Sequence, residues 1–219
     1  RGIQRLSLRS DGGAKMTPEP PRATRGHGLL ESFLARKRRD KAKALIGTHM
    51  PIQSVLDIGC GTYPAFLAGI DARDRVGIDQ MVSGESSRQC TDLGIQLIQQ
   101  DITRDPILPF ESARFDAVSM LAVVEHIPLD TATRVVSEVY RVLRPGGVAV
   151  VTTPAAWTNP ILQTLARLNL VSSEEIDEHQ SLFTRDLLRR LLANEPFDPA
   201  YIQVGTFEFG MNLWARAVK

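Results

Sequence analysis

Three carboxylates and two glycines are spaced for ligand chemistry. The run VLDIGCGTYPAF, Val55 to Phe66, is apolar up to Asp57 and then breaks at Gly59, Cys60 and Gly61. An apolar run ending in such a break puts the glycines at a strand-to-helix turn, where the backbone bends sharply and a ligand can approach the main chain. The amides at the start of the following helix are expected to form a polar cradle. A second run, RVGID, ends in Asp79, 22 positions after Asp57, where a carboxylate can accept hydrogen bonds from both hydroxyls of a ribose. A third, IQLIQQD, ends in Asp101. Together they imply a nucleotide-like ligand.

The glycine spacing separates the nucleotide classes. A dinucleotide fingerprint needs G-x-G-x-x-G, and the position three after Gly61 is Pro64. Asp57 would sit badly beside a pyrophosphate but suits a ligand with positive charge, such as an amino-acid ammonium group. The pattern GxxxxGK[ST] is absent, which argues against a phosphate-binding loop of the nucleotide-hydrolase type.

The elements that must hold these residues alternate along the chain. β-Rich runs occur at residues 54–59, 75–79, 95–101, 115–121 and 147–154, separated by segments of helical composition. Near-continuous apolar strands separated by helices predict a parallel sheet covered on both faces. One crossover is plain: Ala132, Val135, Val136, Val139 and Leu143 form an apolar stripe, with Pro128 ahead and Pro145, Gly146 and Gly147 as the stop signal. Thr184 can cap a helix over RDLLRRLLANE, and two extended runs follow, YIQVGTFEF and MNLWARAVK, giving seven strands.

With 219 residues and 43% hydrophobic content, the chain can bury one sizeable core. The expected organisation is a disordered or loosely docked basic segment, 1–27, then one domain, 28–219, entered by a helix over 28–46. Residues 1–45 hold 12 Lys and Arg against 4 Asp and Glu, while the remainder holds 14 against 21. Such asymmetry fits a contact with nucleic acid or an anionic membrane, and equally a solvated helix face or tail. The two cysteines, Cys60 and Cys90, suggest neither a disulfide framework nor a zinc site, and no apolar run is long enough for a membrane span. A cytoplasmic setting is the expectation.

The pieces VLDIGCGTYPAF, VGIDQ, QQDIT, FDAVSMLAVVEHI and LRPGGVAVVTTP, in this order over residues 52–154, resemble the class I S-adenosylmethionine-dependent methyltransferases, in particular the type-11 small-molecule branch. That resemblance implies a Rossmann-like α/β sheet of order 3-2-1-4-5-7-6 with the seventh strand antiparallel. It also implies S-adenosyl-L-methionine as cofactor and S-adenosyl-L-homocysteine as product. Gly59, Cys60 and Gly61 would line the methionine part, with Asp57 orienting that end. Asp79 would bind the ribose hydroxyls and Asp101 the adenine amine, with Gln80 and Ile102 flanking the adenine. Leu121 and Ala122 would sit near the sulfonium. Many members have a glycine where this chain has Tyr63, so a bulkier loop is expected.

Methyl transfer from a sulfonium requires chiefly alignment and exclusion of water, with a general base only where the acceptor must lose a proton early. His126, in VVEHIP just after the fourth strand, is the candidate base. Glu125 reads as structural or pocket-lining, and His179 as fixing the C-terminal segment. His27 and His49 belong to no constellation, and no metal site is expected. MLAVVEHI stands where nucleic-acid amino-methylating enzymes carry [DNS]-P-P-[YFW], which favours a small-molecule acceptor, handled by a monomer or homodimer. The competing readings are an RNA methyltransferase whose basic head tracks phosphates, and a cofactor-binding module that regulates a partner without catalysis.

Overall fold

The computed structural model describes residues 31–47, 52–158, 182–194 and 196–219. The segment 1–27 and the first three residues of the expected helix lie outside them. The described residues contain one seven-stranded sheet: β1 Ser54–Ile58, β2 Asp74–Asp79, β3 Ile95–Gln99, β4 Phe115–Leu121, β5 Leu143–Pro154, β6 Ile202–Phe207 and β7 Asn212–Val218. The order is β3-β2-β1-β4-β5-β7-β6, with β7 antiparallel to both neighbours and the other pairs parallel. This is the sheet expected from the sequence. One face carries α1 Glu31–Ile46, α2 Ala65–Ala68 and α3 Gly84–Thr91, and the other α4 Leu129–Val142 and α5 Arg185–Ala193.

Apolar strands with both faces covered explain why every residue of β1 is buried. Helix α4 buries Ala132, Val135, Val136, Val139 and Val142 along one stripe, the spacing read from the sequence. Thr184 caps α5 by accepting a hydrogen bond from the Leu187 amide at 3.2 Å. Three boundaries differ from expectation. Leu143, assigned to the helix stripe, opens β5, and Pro145, Gly146 and Gly147 lie within that strand. The β4 register jumps there from Phe115↔Leu143 to Ala117↔Val148, so the proline and glycines form a bulge. Gly146 is left-handed (φ 79°), and its amide bonds the Lys219 carbonyl at 2.8 Å. Strand β3 stops at Gln99, leaving Asp101 in the loop beyond.

Helix α1 runs antiparallel to β5. Leu45 accepts from Arg216 Nε at 3.1 Å, Lys41 stacks 4.6 Å from the Trp214 ring centroid, and Lys37 and Arg38 approach Glu208 beyond β6. Its amino end therefore lies at the carboxyl edge of the sheet. Ala42, Leu45 and Ile46 are buried against Val55, Ala117, Val148 and Val150.

At the opposite edge Asp116 ties three strands. Its Oδ2 accepts from the amides of Gln53 and Ser54, at 2.8 and 2.9 Å, and from the Ser54 hydroxyl at 3.1 Å, while Oδ1 accepts from Arg144 at 2.7 Å. Burial works against the charge, but the Gln53 amide, Arg144 and Ser54 outweigh it and hold this carboxyl below its usual range. Asp116→Ala should lower stability at neutral pH by about 2–4 kcal/mol, since it strands several buried donors. A depressed carboxylate contributes stability above its unfolded pKa and loses it as pH falls. The deficit should therefore shrink below about pH 4, and denaturant melts at pH 7 and 3.5 check both statements.

Candidate functional site

Strand order reverses between β1 and β4, so their crossovers leave to opposite faces and open a crevice at the carboxyl ends. Asp57 lies at that point. It pairs in register with Ser119 of β4, and the Ser119 hydroxyl, fully buried, donates to Asp57 Oδ1 at 2.6 Å. Burial pushes the Asp57 carboxyl up to about 7; the Ser119 hydrogen bond opposes that rise, and the nearby Asp79 charge adds to it. A carboxylate so poorly solvated gains most from a cationic partner.

The glycine turn shows its amides to the sheet. Gly59 and Gly61 are left-handed, at φ 76° and 71°. The amides of Gly59 and Cys60 both donate to the Ile78 carbonyl, at 2.8 and 3.2 Å, and the Gly61 amide donates to Asp79 Oδ2 at 2.9 Å. The helix that follows, α2, is a single turn entered through Pro64 with no side-chain cap. The three amides of the glycine turn are thus taken by β2, and the helix-start amides from which the cradle is expected lie beyond them, at α2. The turn offers a ligand carboxylates instead of donors, which disfavours phosphate and suits positive charge.

Close packing fixes the rest of the turn. A side chain on Gly59 would collide with a Val123 methyl, so the chain leaving β4 crosses directly over the glycine. Ala122 makes that crossing in a left-handed conformation (φ 58°), with its amide on the Thr152 carbonyl at 2.9 Å. Cys60 turns inward: a Cβ on Gly77 would lie 2.6 Å from its sulfur. Burial, then the charges of Asp57 and Asp79, push its thiol far up, so it stays protonated.

The other candidates are placed as follows. Asp79 is buried and also accepts from the Met81 amide at 2.8 Å. Asp101 is half-buried, its Oδ1 taking the Thr103 hydroxyl at 2.6 Å and amide at 2.9 Å, with Arg104 3.3 Å from Oδ2. The Thr103 hydroxyl bond leads in holding its carboxyl below the ordinary value. Gln80 is exposed, whereas Ile102 is buried in the core. Leu121 and Ala122 are half-buried at the end of β4, and His126 is half-buried in the 3₁₀ turn Val124–His126 with Glu125 buried beside it. His27, His49 and His179 lie outside the described residues. Among the described residues no group of three or more His, Cys, Asp or Glu is arranged to hold a metal ion.

Three contributors escaped the sequence reading. Ser119 is a polar interruption in the apolar run FDAVSML, and Gly77 a glycine inside a strand, which signals a close approach. Both signals were present. Val123 carried none, since only the fold brings it over Gly59.

A sheet of this order with carboxylates at the ends of β1 and β2 defines a class, and comparison gives it a family. A family described as a methyltransferase domain matches residues 14–199, and the chain belongs to it. That description carries the class and not the type-11 branch. A curated relative, the ubiquinone biosynthesis O-methyltransferase of Paraburkholderia phytofirmans, is 26% identical over 102 residues, 45% of this chain. Those residues span 43% of the relative's length. A SAM-dependent methyltransferase from Thermotoga maritima superposes with a TM-score of 0.62 at 17% identity, covering 85% of this chain and 92% of that one. The 1,6-didemethyltoxoflavin-N1-methyltransferase of Burkholderia thailandensis, solved with bound 1,6-didemethyltoxoflavin and S-adenosylhomocysteine, gives a TM-score of 0.60 at 18% identity over 84% of this chain and 77% of its own. At these identities the likeness shows the fold.

The raised carboxyl gives a test free of any ligand. A group whose folded pKa lies above its unfolded value contributes stability below the unfolded pKa and loses it as pH rises through the folded one. For Asp57 that window runs from about 4 to about 7. Asp57→Asn should therefore melt above the wild type at pH 8, by on the order of 1–3 kcal/mol, and the gap should close towards pH 5. Parallel melting curves across this range would mean that the charge is not buried at a cost.

Proposed function

We propose that this chain is an S-adenosylmethionine-dependent methyltransferase acting on a small molecule. The observation that carries the proposal is the buried Asp57 beside a turn whose amides are already taken, which makes the crevice a place for a cation. The cofactor is a sulfonium carrying an amino-acid ammonium, which fits that charge.

Asp57, Gly59, Cys60 and Gly61 are assigned to the methionine end, with Cys60 contributing its backbone, since its side chain packs into the core. Asp79 is assigned to the ribose, and Asp101 with Gln80 to the adenine end. Ile102 supports that end from the core. Leu121 and Ala122 close the site beside the reacting centre. When bound, the cofactor supplies an activated methyl group for in-line displacement by an O, N or C nucleophile, leaving S-adenosylhomocysteine. The protein's part is alignment and exclusion of water, with His126 as the group able to take an acceptor proton. The O- and N-methyltransferases among the relatives support either heteroatom as the acceptor.

Calorimetric titration with S-adenosylmethionine tests the assignments. Asp57 must be ionised to meet a cation, so affinity should rise about fivefold between pH 6 and 7, about twofold more by pH 8, and level off above. Asp79→Ala should weaken binding about 5- to 150-fold in a folded protein, as expected for a lost buried polar partner. Unchanged affinity in both arms would remove the carboxylates from the cofactor site.

For a hydroxyl acceptor, His126→Ala should leave cofactor affinity near that of the wild type and lower single-turnover transfer by about 10²-fold or more. A variant within about threefold of the wild-type rate, both independent of pH near neutrality, would make His126 a shaping residue instead.

A further inference from the structure

We propose that the rim formed by the β6–β7 hairpin, the segment after β5 and the amino half of α1 docks on a lipid bilayer carrying anionic headgroups. Phe209, at the hairpin tip, is 100% exposed. It sits among three successive left-handed residues, Glu208, Phe209 and Gly210, at φ 52°, 57° and 83°. Residues with side chains rarely adopt that conformation, and two in succession hold the ring away from the body of the protein. Trp157 is 56% exposed and donates Nε1–H to the Gly210 carbonyl at 3.1 Å, so its polar atom is satisfied while its ring faces outward.

Hydrogen bonds and a cation–ring contact join further apolar groups to this tip. Ala156 donates to the Phe183 carbonyl at 2.8 Å, which brings Leu182, 49% exposed, alongside. On α1, Phe33 is 51% exposed with the Lys37 ammonium 5.5 Å from its ring centroid, and Lys37 and Arg38 face Glu208. Arg36 and Lys37 are exposed.

Single exposed apolar residues are ordinary, but four large ones beside three cations on one edge are not. The hairpin tip is convex, which suits insertion into a soft interface better than a groove in a protein partner. A ring can enter the acyl boundary while Arg36, Lys37 and Arg38 stay at headgroup level. RNA would use the cations and could stack bases on the rings, but a convex tip gives no groove to track a phosphate backbone. This edge is the one at which β1, β2 and β4 end, so a docked protein would face the bilayer with its crevice side. The docking does not depend on the methyl-transfer reading, because the experiment reads binding alone.

The test is co-sedimentation of the full chain with phosphatidylcholine vesicles, with and without phosphatidylglycerol. The wild type should bind the anionic vesicles. Phe209→Ser and Trp157→Ser should each weaken that binding about tenfold or more, the loss expected for withdrawing one aromatic ring from an apolar environment, without lowering the melting temperature. Lys37→Glu should weaken it about fivefold or more, and less at high salt. Absence of co-sedimentation overturns the proposal, as does equal binding by Phe209→Ser, which would assign the membrane contact to the basic amino-terminal segment. Salt-sensitive retention on single-stranded RNA without vesicle binding would give the rim to nucleic acid and also overturn it.

Discussion

The parallel pairing of β1 with β4 is the constraint on which the rest depends. Two carboxylates sit at its opposite ends and meet opposite fates. Asp116 at the amino edge is surrounded by donors from β1 and β5 and stays ionised. Asp57 at the carboxyl edge is given a single hydroxyl and is left by burial about half ionised at neutral pH. The first fixes the register that sets Asp57 opposite Ser119. The second holds unspent electrostatic attraction at the point where strand order reverses. A fold that satisfied both acids equally would be more stable there and less able to attract a cation.

The turn after β1 follows from the same seam. Because Gly59 must pass under Val123, its backbone is left-handed, and that geometry directs the next amides back to β2 instead of out to a ligand. Asp79 is then shared between the loop, through Gly61, and its own strand end, through Met81. Movement of any one of these residues disturbs the others, so the site behaves as one body whose rigidity comes from main-chain hydrogen bonds.

Much of the fold was legible because it rests on patterns confined to single elements. The apolar run of β4, the stripe of α4 and the Thr184 cap each need only their own neighbours. The site was legible in part: strand-end acids and glycines mark a crevice, but the direction of an amide depends on where the next strand lies. So the reading marked the glycine turn without showing that β2 takes the amides of Gly59 to Gly61. It likewise ended α4 at Pro145 and the glycines, which the pairing of β5 with the carboxyl terminus draws into a bulge. Ser119 was hidden in an apolar run for a similar reason, since its partner is 62 residues away in the chain.

The inward turn of Cys60 has a further consequence. A thiol that is packed against Gly77 and kept protonated by burial and by two neighbouring acids is shielded from electrophiles twice, once by access and once by the want of a thiolate. Alkylation at this position must therefore wait for the turn itself to unlatch from β2, so the rate of native-state labelling reports how often the loop opens. Cys60 is in effect a clock set into the hinge of the site, and anything that fastens the turn should slow it.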